Sequence, residues 1–138
     1  LSKISGPLLD RIDIHIEVTP VPFEKLTETR KAESSVVIRE RVSKARQLQS
    51  IRFESYENIH YNAQMGSKQI REFCKLDENS LQLLKTAMER LNLSARAYDR
   101  ILKVARTIAD LEACEAVMSN HIAEAIQYRS LDREGWLG

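Results

Sequence analysis

Between Ser94 and Leu111 the apolar residues Tyr98, Ile101, Leu102, Ala105, Ile108 and Ala109 recur at intervals of three and four. That is the period of an amphipathic helix with one buried face, and Ser94 is a residue type suited to capping its first turn. Arg96, Asp99, Arg100, Lys103, Thr107 and Asp110 fall on the opposite, polar side. The same period predicts a helix opened by Ser34 or Ser35 and running to about Ser50, with Ile38, Val42, Ala45 and Leu48 inward. A short helix follows from Ser67 to near Cys74. Asp77 caps another, with Leu81, Leu84, Ala87, Met88 and Leu91 as its stripe, and Ser119 caps a last one with Ile122, Ala123, Ala125 and Ile126 turned inward. Short breaks between successive helices favour an antiparallel bundle.

A different pattern occurs near the start. Ile12, Ile14, Ile16 and Val18 alternate with Asp13, His15 and Glu17, the period-two signature of a strand with one buried face. Pro20 and Pro22 end it, and Ser5-Gly6-Pro7 before it reads as a turn. A lone strand cannot satisfy its own backbone, and no other stretch reads as its partner, so the rest of its sheet is expected in a larger protein. Residues 23–33 read as a connection or short helix, 52–66 as an ordered loop whose tyrosines pack, and 112–118 as a connection. Trp136 is expected to cover an edge.

Composition adds limits. With 138 residues, 43% hydrophobic and 30% charged, the chain is an ordinary globular domain able to bury a core. It has no apolar run long enough to span a membrane and no signal-like start, so no membrane association and a cytoplasmic location are expected. Cys74 and Cys114 are too few for a disulfide framework and read as reduced, packed thiols. His15 and His60 have no partner at ligand spacing, and no metal site is expected. Lys and Arg total 21 against 20 acidic residues, so any contact with nucleic acid has to be local. The local candidate is residues 24–52, where eight basic residues face four acidic ones, a charge of +4. That stretch is either a solvated face or a surface that meets phosphate.

No Gly-rich loop ending in Lys-Ser or Lys-Thr, serine elbow, paired Cys-X-X-Cys or His-Glu helix motif occurs, so the chain by itself carries no complete active site. Two arginines stand in informative settings. Arg96 lies in the first turn of the Ser94 helix, where unpaired N–H groups favour an anion, and Arg11 lies between an apolar patch and the expected strand.

Around these residues the chain resembles a known family. Leu1-Ser-Lys-Ile-Ser-Gly-Pro-Leu-Leu-Asp-Arg-Ile-Asp-Ile14 is similar to the segment of AAA+ ATPases of the magnesium-chelatase and MCM group that carries the arginine finger and enters the last core strand. The stretch from Leu93 through Ser94-Ala95-Arg96-Ala97-Tyr98-Asp99-Arg100 to Leu111 resembles their sensor-2 helix, and His121-Ile-Ala-Glu-Ala-Ile-Gln-Tyr-Arg129 their closing lid helix. The resemblance covers essentially the whole chain and is strongest to the C-terminal part of magnesium-chelatase-like, ComM-type proteins.

It implies a mainly α fold: residues 1–22 as the end of the AAA+ core with a single leftover strand, 23–33 as a connection, and 34–138 as a helical lid. By position, Arg11 would be the catalytic finger, reaching from one subunit into the nucleotide of the next, and Arg96 would bind the γ-phosphate of the cofactor ATP with Mg2+. A guanidinium suits charge spread over transferring phosphoryl oxygens. The resemblance further implies a hexameric homo-oligomer acting on DNA. Walker A, Walker B and sensor 1 would precede Leu1, so the 138 residues alone are expected to be inactive. The family more often has histidine at Asp99 and glycine near Ala113 or Cys114. The competing readings are a stand-alone helical DNA-binding or protein-interaction module, and the lid of a true magnesium chelatase subunit.

Overall fold

The computed structural model describes residues 5–29 and 32–129; Leu1 to Ile4, Arg30, Lys31 and the tail with Trp136 lie outside them. Among the described residues seven α-helices follow one another: α1 (Gly6–Arg11), α2 (Phe23–Leu26), α3 (Ser35–Arg52), α4 (Ser67–Phe73), α5 (Glu78–Arg90), α6 (Ala95–Leu111) and α7 (Ser119–Gln127), with a 3-10 turn at Asn62–Gln64. The helix expected behind Ser94 is the centre of the assembly, since α1, α3, α4, α7 and the 3-10 turn all pack on α6, and α5 packs on α7. Its periodic residues explain this: Ile101, Leu102, Ala105, Ile108 and Ala109 are buried together with Ala97, and Tyr98 is half-buried. Around them gather Leu84 of α5, Ile122 and Ala125 of α7, Ile70 of α4, and Phe53, Met65, Cys74 and Val117 from the connections.

The expected caps act at three helices. Ser34 accepts from Val37 N at 3.3 Å, Asp77 from Ser80 N at 2.7 Å and Ser94 from Ala97 N at 3.2 Å, each satisfying a donor the helix leaves open. At α7 the N-cap is Met118 rather than Ser119, and the ring of His121 takes the capping role by accepting from Met118 N at 2.9 Å. Its other nitrogen therefore carries the proton and donates to Glu112 Oε2 at 2.6 Å. This orientation turns His121 inward and leaves Ala123 exposed, against expectation.

Three further expectations are corrected. Ser5-Gly6-Pro7 opens α1 instead of a turn: Ser5 Oγ accepts from Leu8 N at 3.2 Å, and the fixed φ of Pro7 suits a first helical turn. No strand forms among the described residues. Residues 12–22 run without helix or ladder, His15 is the buried member of the alternating set, and Ile16 and Val18 are 70% and 87% exposed. Alternation sets a strand's face, but a ladder needs a neighbouring strand, and none lies beside this one among the described residues. Finally, α3 buries only Ala45 and Gln49, while Ile38, Val42 and Leu48 stay exposed, because the bundle covers only the strip of the helix on which Ala45 and Gln49, four residues apart, lie.

The loop after α3 packs through its aromatic residues. Phe53, Tyr56 and Phe73 stack edge-to-face with centroids 5.4 to 6.2 Å apart, a favoured aromatic geometry. Tyr56 also donates to Glu72 at 2.8 Å, whereas Tyr61 is exposed.

Candidate functional site

Two side chains singled out by sequence, Arg11 and Arg96, are both exposed. Arg96 is the second residue of α6. Before it, α5 ends in a Schellman turn: Leu93 N donates to Met88 O at 3.0 Å, Asn92 N donates to Glu89 O at 3.4 Å, and Asn92 sits at φ 49°. This turn reverses the chain and sets Ser94 in extended conformation at the head of α6. Ser94 takes the N–H of Ala97, which leaves those of Ala95 and Arg96 for an outside acceptor.

Arg11 ends α1, which rests beside that turn. Ser94 Oγ lies 3.1 Å from Asp10 Oδ2, and Gly6, Pro7, Leu9 and Asp10 face Asn92, Leu93 and Ser94 across a cleft. The structure thus brings the two arginines onto adjoining segments. One turn into α6, Arg100 pairs with Asp13. Beneath them Arg129, fully buried, donates to the carbonyls of Ile12 and Asp10, and His15 N donates to Tyr128 O at 2.8 Å.

On the far half of α6 the sequence reading misplaced one residue. Asp110, assigned to the polar face, is 1% exposed and is the acceptor of a buried network. Arg52 grips it with both prongs at 2.8 and 2.7 Å, Asn62 Nδ2 donates at 2.8 Å, and Arg106 Nε at 3.2 Å. Arg106 spends its remaining donors on the carbonyls of Cys114 and Glu115 at 2.7 and 2.9 Å. The signal available in the sequence was the i, i+4 spacing of Arg106 and Asp110; the third partner, Arg52, lies 58 residues away. Arg52 therefore leaves the basic stretch for the interior, and Arg41 is held by Glu33 at 2.6 and 3.1 Å. Arg39, Lys44 and Arg46 remain exposed on α3.

Cys74 is buried, with its Sγ 3.8 Å from Leu102 O, and burial pushes its thiol up to about 11, only partly opposed by Arg106 and Arg52. Cys114 is half-buried, and both thiols are free. Among the described residues no group of three His, Cys, Asp or Glu side chains is gathered as for a metal ion. No helix among them is long and apolar enough to cross a membrane.

A mainly helical domain built round one capped helix is thus joined to a short arginine-bearing segment. The family described as "Magnesium chelatase, subunit ChlI C-terminal" matches residues 32–129, and the chain belongs to it. Among individual proteins, it is 42% identical over 134 residues to the competence protein ComM of Haemophilus influenzae and 40% identical over 134 residues to YifB of Escherichia coli. These alignments cover 96% of this chain and 25% and 26% of the relatives. A Mycobacterium tuberculosis protein is 30% identical over 129 residues, covering 94% of the chain and 25% of that protein. The chain spans about a quarter of the length of these relatives and represents the C-terminal domain of a ComM-like, magnesium-chelatase-like protein.

Proposed function

We propose that this domain is the lid of an ATP-driven AAA+ motor, with residues 1–22 belonging to the end of its core, 23–33 connecting and 34–138 forming the lid. In this reading Arg96 contacts the γ-phosphate and Arg11 is the finger that serves the nucleotide of the neighbouring subunit. The observation that carries it is the pair of exposed arginines on adjoining segments, one in the first turn of a capped helix of 17 residues, the other at the end of α1. That first turn fits a phosphate: the Ala95 and Arg96 N–H groups and the Arg96 guanidinium are all donors. ATP supplies the transferable phosphoryl group, and Mg2+ is expected to ride on its phosphates with carboxylates from elsewhere in the protein. Arg96 holds charge in the bound state, while Arg11 acts on charge that grows in the transition state.

A finger supplied by a neighbour makes the active form a ring, taken here as a hexamer, in the cytoplasm. The relative described as a competence protein supports a role in competence, and we read this as a DNA-processing motor. The family's description would also suit the lid of a magnesium chelatase; stimulation of ATP turnover by DNA favours the first reading and its absence the second.

In the full-length protein, Arg11→Ala is expected to keep the fold and nucleotide affinity while lowering kcat by roughly 1,000-fold or more. Arg96→Ala is expected to weaken ATP binding and turnover together. An Arg11→Ala subunit mixed with one lacking the Walker lysine should regain activity where an intact site meets an intact finger. Normal turnover of Arg11→Ala would remove it from catalysis, and no recovery in confirmed mixed rings would place its action within its own subunit. The 138 residues alone should show no turnover; hydrolysis by them would refute the lid assignment.

A further inference from the structure

Arg129 stands at the C-terminal end of α7 with no exposed surface, yet its donors reach a segment 117 residues away in sequence. One prong donates to the carbonyl of Ile12, the other to the carbonyl of Asp10 at 3.3 Å, and the Asp10 carboxylate lies 3.8 Å off. Asp10 and Ile12 are the residues on either side of Arg11. These carbonyls belong to the end of α1, where a helix leaves acceptors unpaired, and a rigid planar fork matches two of them at once. Arg11 itself stays exposed. The same segment is pinned at His15 to Tyr128 O, at Asp10 to Ser94 and at Asp13 to Arg100, which are the C-cap of α7, the N-cap of α6 and a residue of α6.

We propose that Arg129 is the positioning residue for Arg11: by holding the carbonyls of the residues before and after it, Arg129 makes the Arg11 turn move with α6 and α7 as one body. The proposal rests on the reading of Arg11 as the finger. It adds that movement of the helix carrying Arg96 is passed to Arg11 through the Arg129 clamp as well as through the contacts of Asp10 and Asp13 with α6, so the two arginines shift together and not separately. Without the clamp the turn still exists, since Ser5 caps α1 locally, but its aim at a neighbouring nucleotide loosens. A displacement of about 1 Å at a reacting group is enough to cost about 100-fold in rate.

The test uses Arg129→Lys, which keeps the buried charge but loses the two-pronged grip, and Arg129→Met, in the full-length protein. Where Arg129→Met does not fold, Arg129→Lys carries the test. The expected result is a kcat about 10- to 100-fold lower, an ATP Kd changed less than about twofold, and faster amide exchange at residues 12–15 with α5 and α6 unaffected. A merely structural role would loosen all these helices together and weaken ATP binding, which overturns the proposal. In an Arg11→Ala background Arg129→Lys should add no further loss to the residual rate, because the two act through one group; a full additional loss overturns it. Normal turnover of Arg11→Ala alone overturns the finger assignment and with it the catalytic half of the proposal, while the exchange at residues 12–15 judges the clamp separately. Unchanged exchange there refutes the clamp whatever the kinetics.

Discussion

Cys74 illustrates how one side chain inherits its chemistry from burial. Its thiol has an ordinary value of 9.0 and is pushed up to about 11 because the thiolate would lie in the core among Leu102 and its neighbours. In the folded state it keeps its proton where the unfolded chain has lost it, so its contribution to stability is fully present below pH 9 and is lost as pH rises from about 9 to about 11. Replacing Cys74 by Ala should remove that component of the alkaline fall in stability, measured by urea unfolding at pH 8, 9.5 and 11. An identical pH slope in wild type and variant would contradict it. Arg11 and Arg96 are the opposite case: both are exposed, so their proposed roles depend on what they can reach rather than on what surrounds them.

At the scale of elements, ends matter as much as faces. α6 closes with a Schellman turn in which Cys114 N donates to Ala109 O at 2.8 Å and Ala113 N to Asp110 O at 3.0 Å. The turn requires a left-handed residue, and Ala113 supplies it at φ 56°, a conformation in which a Cβ costs about 1 kcal/mol. This is one of the positions where the family resemblance led to an expectation of glycine. Ala113→Gly should therefore stabilise the protein by about 0.5–1 kcal/mol, seen as a rise of a few degrees in Tm; a lower Tm would show that the turn is not strained. Asn92 fills the same place after α5 at φ 49° and needs no such repair, since asparagine tolerates this region best after glycine.

For the whole molecule, the buried ionic network joins parts that hydrophobic packing alone would leave loosely related. Asp110 of α6 accepts from Arg52 at the end of α3 and from Asn62 of the 3-10 turn, and the Asn62 backbone N–H in turn donates to Gln49 Oε1 at 2.8 Å. Removing the acceptor strands two guanidinium groups, so Asp110→Ala should cost about 3 to 5 kcal/mol, measured by denaturant unfolding. A loss below about 1 kcal/mol would mean that water replaces the carboxylate easily.

How much of this was legible in the sequence follows from the range of each interaction. Helical period and caps are local, so α5 and α6, with Asp77 and Ser94 as their caps, could be read directly, as could the inward set of Ile101, Leu102, Ala105, Ile108 and Ala109. The exposed arginines of the candidate site were legible as residues because motif spacing is local too. What the sequence could not decide is which amphipathic faces find a partner. Ile38 and Val42 on α3, and Ile16 and Val18 in the expected strand, obey the same patterns as buried residues yet lie exposed, since burial requires a second surface that a periodicity does not name. The inward turn of Asp110, His121 and Arg129 was likewise hidden, because a polar group is buried only where distant partners satisfy it. Those partners, Arg52, Glu112 and the carbonyls flanking Arg11, are set side by side only by the tertiary fold.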